Sequence, residues 1–341
     1  MRLTRAPRVV QLCLHGTTAK PEDNAKRIAM LPEIVRALYE RPDWHPIDAV
    51  ILPGGFFRMS RAFGASGFAK RRAAVRRERF VGAVQAAVGL LEELSPGLRL
   101  VTGVLAKPRD PTERTEQASL AFSANGLVAV ARKNFPTAQD TRGRRYISPF
   151  VDDYSSAKRL LQLSNGSTAL LSACYDLFGA ADIGVDSSSR RQAIRRLITR
   201  KGYLTQGEAG FAEARQACLA TWTKLIEEHR PDVALATIHR FRAPGLDGFW
   251  QRHGIARASA ALNGALVVGA AHFGHRLPDP HASSLAAHGV EHEHMFAGAF
   301  RLSHRLMPID STVIDVPGCR ALLRLFTPPA GPDIKAVGIG P

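Results

Sequence analysis

The sequence is short of cysteine, of acidic residues and of long apolar runs, and each shortage excludes something. Four cysteines, Cys13, Cys174, Cys218 and Cys319, lie far apart in 341 residues and form no CxxC pair. That argues against a disulfide framework or a cysteine-ligated structural zinc, and it fits a reducing, cytoplasmic compartment. No apolar run reaches the length of about 18 residues that a membrane-spanning helix needs, so no membrane association is expected. The opening segment MRLTRAPRVVQLCLHG has basic residues, but its apolar stretch is short and lacks a small-residue cleavage site. It reads as a first strand and not as a signal peptide. No low-complexity tract, fixed-period repeat or composition break divides the chain, which implies one domain over 8–330 and a tail over 331–341.

Acids number 30 against 46 lysines and arginines, a formal charge of +16. Basic residues crowd 58–80, where Glu78 is the one acid, and 190–201, which has none. Neither run carries the interleaved aromatics of a single-strand nucleic-acid platform. A solvated helix face is the preferred reading of both, so nucleic acid is not the expected partner. An anionic ligand or surface is the alternative.

What is present alternates between strand and helix. RVVQLCLHG and DAVILP are apolar runs closed by glycine or proline, hence strands. The segment KPEDNAKRIAMLPEIVRALYERP has helical spacing, with Pro32 expected to kink it or reset its start. Residues 67–94 read as one long amphipathic helix stopped by Ser95-Pro96-Gly97. LRLVTGVLA, QASLAFSANG and LVAVARKNF are strand-like, with a hairpin at Asn125-Gly126. LLQLSNGS and TALLSACYD form a second hairpin at Asn165-Gly166. Thr205 and Glu208 make a capping box for a helix reaching about His229. VALATIHRF is a strand, FWQRHGIARASAALNG a helix, LNGALVVGAAHFG a strand, and ALLRLFTPP the last one. Mixed sheets with helices packed outside, an α/β fold, follow from this order.

Several residues are candidates for chemistry. Cys174 stands at a strand end, where a thiol can face a pocket; the plainer reading is a small buried core residue. Cys13 and Cys218 read as core, and Cys319 as a loop residue. HGVEHEHMF places His288, Glu291, His292, Glu293 and His294 together, but the spacing matches no metalloprotease helix and a polar loop is preferred, so no metal is expected. His239 and Arg240 follow an apolar strand. Such a histidine can serve as a substitute base beside a thiol, and such an arginine can bind an acidic substrate, although a solvated loop arginine is the preferred reading.

Four segments, DAVILPGG, VAVARKNF, LLSACYDLFG and ASAALNGALVVGAAHFG, resemble in order and spacing the landmarks of the carbon–nitrogen hydrolase (nitrilase-like) superfamily, over roughly residues 8–275. The resemblance implies a four-layer αββα sandwich, commonly paired into a homodimer. It implies a Glu–Lys–Cys group that hydrolyses amides or nitriles, or transfers an acyl group, without a cofactor. The nucleophile maps to Cys174 and the lysine to Lys133. The family's loop after the VALATI strand shapes the pocket, which makes His239 and Arg240 candidates for binding a small-molecule substrate. Phe56 and Tyr175 are further candidates, although the preferred reading of Tyr175 and Asp176 is structural, holding the turn after the nucleophile strand. The glutamate maps to Gly54, so the carboxylate that would move the thiol proton is absent. In the later segment the family's Glu-Asn stands as Leu262-Asn263. Two outcomes follow: a thiol enzyme with another base, or an inactive relative that binds a ligand or partner in the same pocket. The stretch from about 275 to 310 departs from the family pattern.

Overall fold

The computed structural model describes residues 5–15, 24–60, 68–106, 116–133, 157–174, 176–177, 223–241, 245–273, 284–290, 305–316 and 319–329. Their strands join into one 13-stranded sheet that doubles over into two stacked layers. β1 (Val9–His15) is the joint. Along one edge it pairs antiparallel with β13 (Cys319–Phe326). Along the other, Val9 to Gln11 pair with β2 (Ala49–Ile51), and Leu14 and His15 pair with His272 and Phe273 of β10 (Leu266–Phe273).

The first layer continues from β2 to β4 (Arg99–Ala106), β5 (Glu116–Ser123) and β6 (Gly126–Arg132). Short β3 (Phe57–Met59) pairs with the far half of β4, and β12 (Asp310–Val316) with β13. The second layer runs from β10 to β9 (Val233–Phe241), β8 (Thr168–Ala173) and β7 (Leu160–Gln162), with β11 (Ala286–Ala287) on the other side of β10.

Alternation along the strands builds three cores. In β9, Val233 and Leu235 face the opposing sheet while Ala234 and Ala236 face helices. The inter-sheet core is rich in alanine, including Ala49, Ala121, Ala129, Ala131, Ala169 and Ala270, which lets the sheets approach closely. The first layer's outer face packs on α1 (Asn24–Tyr39) and α3 (Phe80–Leu94). The second packs on α4 (Leu246–Trp250), a π-helical turn (Gln251–Ala256) and α5 (Arg257–Ala261). Each fully buried Val, Leu or Phe contributes about 1.5–3 kcal/mol. Helix, sheet, sheet, helix is the αββα sandwich that the sequence resemblance implies.

Three local expectations change. α1 runs through Pro32, so that proline does not reset its start. The single helix over 67–94 is two, because α2 (Phe68–Arg76) stops before α3 begins at Phe80. Cys319 opens β13 instead of sitting in a loop. Both expected hairpins form, with Gly126 at φ 109° and Gly166 at φ 91°, where glycine escapes the steric cost. The capping box at Thr205 and Glu208 lies outside the described residues, as does the basic run 190–201; 223–229 is helical.

Candidate active site

Cys174 follows the last residue of β8 and takes φ 53°, a left-handed conformation that a non-glycine residue adopts only when its surroundings hold it there. Two hydrogen bonds do so. Its N–H donates to the Thr237 carbonyl of β9 at 3.0 Å, and its carbonyl accepts the Leu177 N–H at 3.2 Å. The residue is 6% exposed. Tyr175 lies outside the described residues. Asp176 is fully buried, and its carboxylate pairs with the equally buried Arg159 at 3.5 Å. The same guanidinium donates to the Arg132 carbonyl at 2.9 Å. Arg132 ends β6, and the next residue is Lys133. One arginine therefore straps the turn after Cys174 to the strand end that carries Lys133.

Lys133 is 4% exposed. Its backbone N–H donates to the Gln117 carbonyl and its ammonium to Gln117 Oε1, both at 2.8 Å. Two residues further in, the strands lock together. Ser119 Oγ lies 2.5 Å from Thr237 Oγ1 and donates to the Ser172 carbonyl at 2.9 Å. Ser119, Ser172 and Thr237 are each two residues from Gln117, Cys174 and His239 respectively. This buried knot fixes the relative height of the three strand ends across the sandwich.

Gly54 is wedged between the two layers. Its N–H donates to the Ile238 carbonyl at 2.8 Å, where the β9–β10 ladder shifts register between Ala270 and His272. A Cβ on Gly54 would lie 2.8 Å from His239 Nδ1, from the Ile238 carbonyl carbon and from the Thr237 oxygen. One on Gly103 would lie 2.3 Å from the Gly54 Cα. The backbone is thus packed on both sides, and the imidazole of His239 stands against the edge from which a glutamate would project. One on Gly55 would meet His239 Cδ2 at 3.2 Å and Leu105 Cδ1 at 3.0 Å. The two glycines are the floor on which this ring lies.

His272 joins His239 here from β10. It is fully buried. Burial holds its pKa well below the usual histidine value, helped by Arg27, His239 and Arg240, while the Gly54 backbone acts the other way. His272 is therefore a neutral imidazole at neutral pH. Arg27, from α1, is nearly buried and sits over the Phe56 ring, its guanidinium carbon 5.2 Å from the centroid. His239 and Arg240 are half-buried at the end of β9.

The remaining candidates are placed elsewhere. Phe56 is fully buried in the core under α1 and α3, whereas Cys174 belongs to the core on the other outer face. Cys13 is buried in β1, and burial pushes its thiol pKa up. Of the His/Glu cluster only His288 is described, with its pKa lowered by burial; 291–294 lie outside the described residues, as does Cys218. Among the described residues no three His, Cys, Asp or Glu side chains come together as a metal site.

Sequence reasoning missed Arg159, Gln117, Arg27 and His272. For Arg159 and Gln117 no signal existed, since an arginine or glutamine at a strand end ordinarily reads as solvated. His272 did leave one: it is the sole polar side chain in the run LVVGAAHF of β10. Chemically, the arrangement offers a thiol on a held turn, a buried ammonium at a strand end tied to it, and an imidazole pair beside the glycine floor.

Neither a family model nor a curated protein matches the chain. Solved structures do. A mutant of the amidase from Nesterenkonia sp. AN1, described as from the nitrilase superfamily, aligns at TM-score 0.46 and 11% identity over 94% of this chain and 91% of its own. Another structure of an amidase from Nesterenkonia sp. aligns at 0.45 and 10%, over 96% and 92%. A glutamine-dependent NAD(+) synthetase from Cytophaga hutchinsonii aligns at 0.41 and 9%, over 84% of this chain and 40% of its own.

Proposed function

We propose that the protein is a thiol-dependent carbon–nitrogen hydrolase that hydrolyses a small amide or nitrile, or transfers its acyl group, through Cys174. The observation that carries this reading is the left-handed turn at Cys174, buried and strapped by Asp176 and Arg159 to the strand end bearing Lys133. Backbone strain of about 1–3 kcal/mol persists where the surrounding structure enforces it, and it gathers at functional sites. In this reading the Cys174 thiolate attacks the carbonyl or nitrile carbon. The Lys133 ammonium, aimed by Gln117, stabilises the negative charge that develops on the substrate. Phe56, Tyr175, His239 and Arg240 remain proposed contributors to substrate binding, Phe56 the most remote of them because it packs in the core under α1 and α3.

The test is turnover of a panel of small aliphatic and aromatic amides and nitriles, with mass spectrometry for a thioester on the Cys174 peptide. Cys174→Ala should abolish both signals. Lys133→Met should lower kcat by about 10²- to 10³-fold with little change in fold. Turnover that survives Cys174→Ala sinks the reading.

One observation favours a second reading, an inactive relative that binds a ligand in the same place. No carboxylate can be carried at position 54, because its Cβ has no room. That reading expects neither a thioester nor selective alkylation of Cys174, and it expects saturable ligand binding that Cys174→Ala leaves intact.

A further inference from the structure

We propose that His239 is the general base of this site, an imidazole that has taken over both the place and the task of the missing glutamate. The inference rests on the thiol-hydrolase reading above and names the group that reading leaves open.

Three observations carry it. First, His239 Nδ1 lies 2.8 Å from where the Cβ of residue 54 would be, and the ring lies against Gly54 and Gly55. Any larger residue at 54 would drive the ring out, so glycine here and histidine at 239 are one arrangement. Second, β9 holds the Cys174 turn and the Gly54 floor through consecutive carbonyls. Thr237 accepts from the Cys174 N–H and Ile238 from the Gly54 N–H, and His239 is the next residue. Third, His272 of β10, fully buried and paired in register with Arg240, interacts with His239, so the ring has a second imidazole beside it.

The proton path balances. His239 takes the proton of the Cys174 thiol as the sulfur attacks the amide carbonyl carbon. A tetrahedral adduct forms, its oxyanion held by Lys133. The imidazolium then gives that proton to the leaving nitrogen, the C–N bond breaks, and the amine departs from a thioester. A water attacks the thioester, His239 takes its proton, and the acid leaves as the proton returns to the Cys174 sulfur. No external oxidant or metal is required.

Among the described groups, His239 interacts with His272 on β10, which also feels Arg27 on α1 and Arg240 on β9; the Gly54–Gly55 floor and Leu105 on β4 add no charge. An imidazole that takes the thiol proton makes the thiolate available below the ordinary thiol pKa, so the pH profile of the sulfur reports the pairing.

The experiment uses iodoacetamide on the full chain from pH 5 to 10, reading alkylation of the Cys174 peptide by mass spectrometry. In the wild type, reactivity should persist below the ordinary thiol pKa of about 8.5, with an inflection in the histidine range. His239→Gln should move the inflection up toward 8.5 and cut labelling at pH 6.5 by about tenfold or more. It should also lower kcat by about 10²- to 10⁴-fold with KM little changed. Superimposable wild-type and His239→Gln profiles would overturn the proposal. If the variant does not fold, the wild-type profile decides: a single inflection near 8.5 overturns it and one in the histidine range supports it. Failure of the parent reading looks different, since then Cys174 forms no thioester at any pH in either protein.

Discussion

At the scale of single residues, Gly54 carries the most information. The sequence has glycine where the resemblance implies a carboxylate, and the structure leaves a Cβ there no free space. Thr237 O, Ile238 C and His239 Nδ1 all stand within 2.8 Å of a Cβ there, and two of the three are backbone. Gly54→Glu is therefore expected to restore nothing. It should lower stability by about 1–3 kcal/mol or more, read as the urea midpoint, and reduce any amidase rate. Arg159 is the second such residue. Arg159→Met leaves the Asp176 carboxylate buried without its partner and should cost about 3–5 kcal/mol. The double variant Arg159→Met with Asp176→Leu should recover much of that in a denaturation cycle, because the desolvation cost of both charges disappears. Its turnover should stay low, because the strap between the Cys174 turn and β6 is gone.

At the scale of elements, close approach is what permits the site. β4 passes over the Pro53–Gly55 turn at Gly103, whose N–H donates to the Pro53 carbonyl at 3.2 Å. On the opposite layer, Gly269 of β10 lets the helical segment down onto the sheet. A Cβ there would meet Ile238 Cδ1 at 2.6 Å and Ile255 Cδ1 at 3.0 Å, the latter from the π-helical turn. Gly269→Ala is expected to destabilise by about 1–3 kcal/mol. Ile238→Val removes the nearer of the two carbons. The double variant should therefore be more stable than the sum of the two single effects, by a coupling of at least about 0.5 kcal/mol in chemical denaturation. Independent effects would contradict this packing account.

At the scale of the whole molecule, pH reports how the cores were assembled. His272 is buried neutral beside Arg27, His239 and Arg240, and its folded pKa is depressed. The unfolded chain then binds a proton below about pH 6.5 that the folded chain refuses, so stability falls as pH drops through that window. The slope from this group is at most about 1.4 kcal/mol per pH unit, and His272→Leu should flatten it in urea titrations between pH 6.5 and 5. Asp310 adds a later acid limb. Its pKa is lowered first by the Trp44 indole, which donates at 2.9 Å, and also by the Ser311 N–H and Arg41. Its stabilisation is present above the ordinary carboxylate value and is lost as pH falls below it, so Asp310→Asn should remove a small part of the loss below about pH 4. At the end of the molecule away from the site, Asp48 is fully buried. Its carboxylate accepts from the Arg5 guanidinium at 2.6 Å and from the Arg8 and Asn165 backbones at 2.8 and 3.0 Å, joining the two layers there.

The sequence alone determined the local elements whose cause is local. Alternating apolar residues made β4, β5, β6, β8 and β9 legible, Asn-Gly pairs marked both hairpins, and the ordered landmarks pointed to four layers and to Cys174 and Lys133. It also showed that residue 54 carries no carboxylate. Tertiary structure alone decided what depends on strands distant in sequence. The bend at Cys174 is held by Thr237, the strap runs from Asp176 through Arg159 to Arg132, and His239 lies on the Gly54–Gly55 floor. A glycine in sequence is only an absent side chain. Which side chain fills that space is set by how closely two sheets stack, and no local pattern encodes that distance.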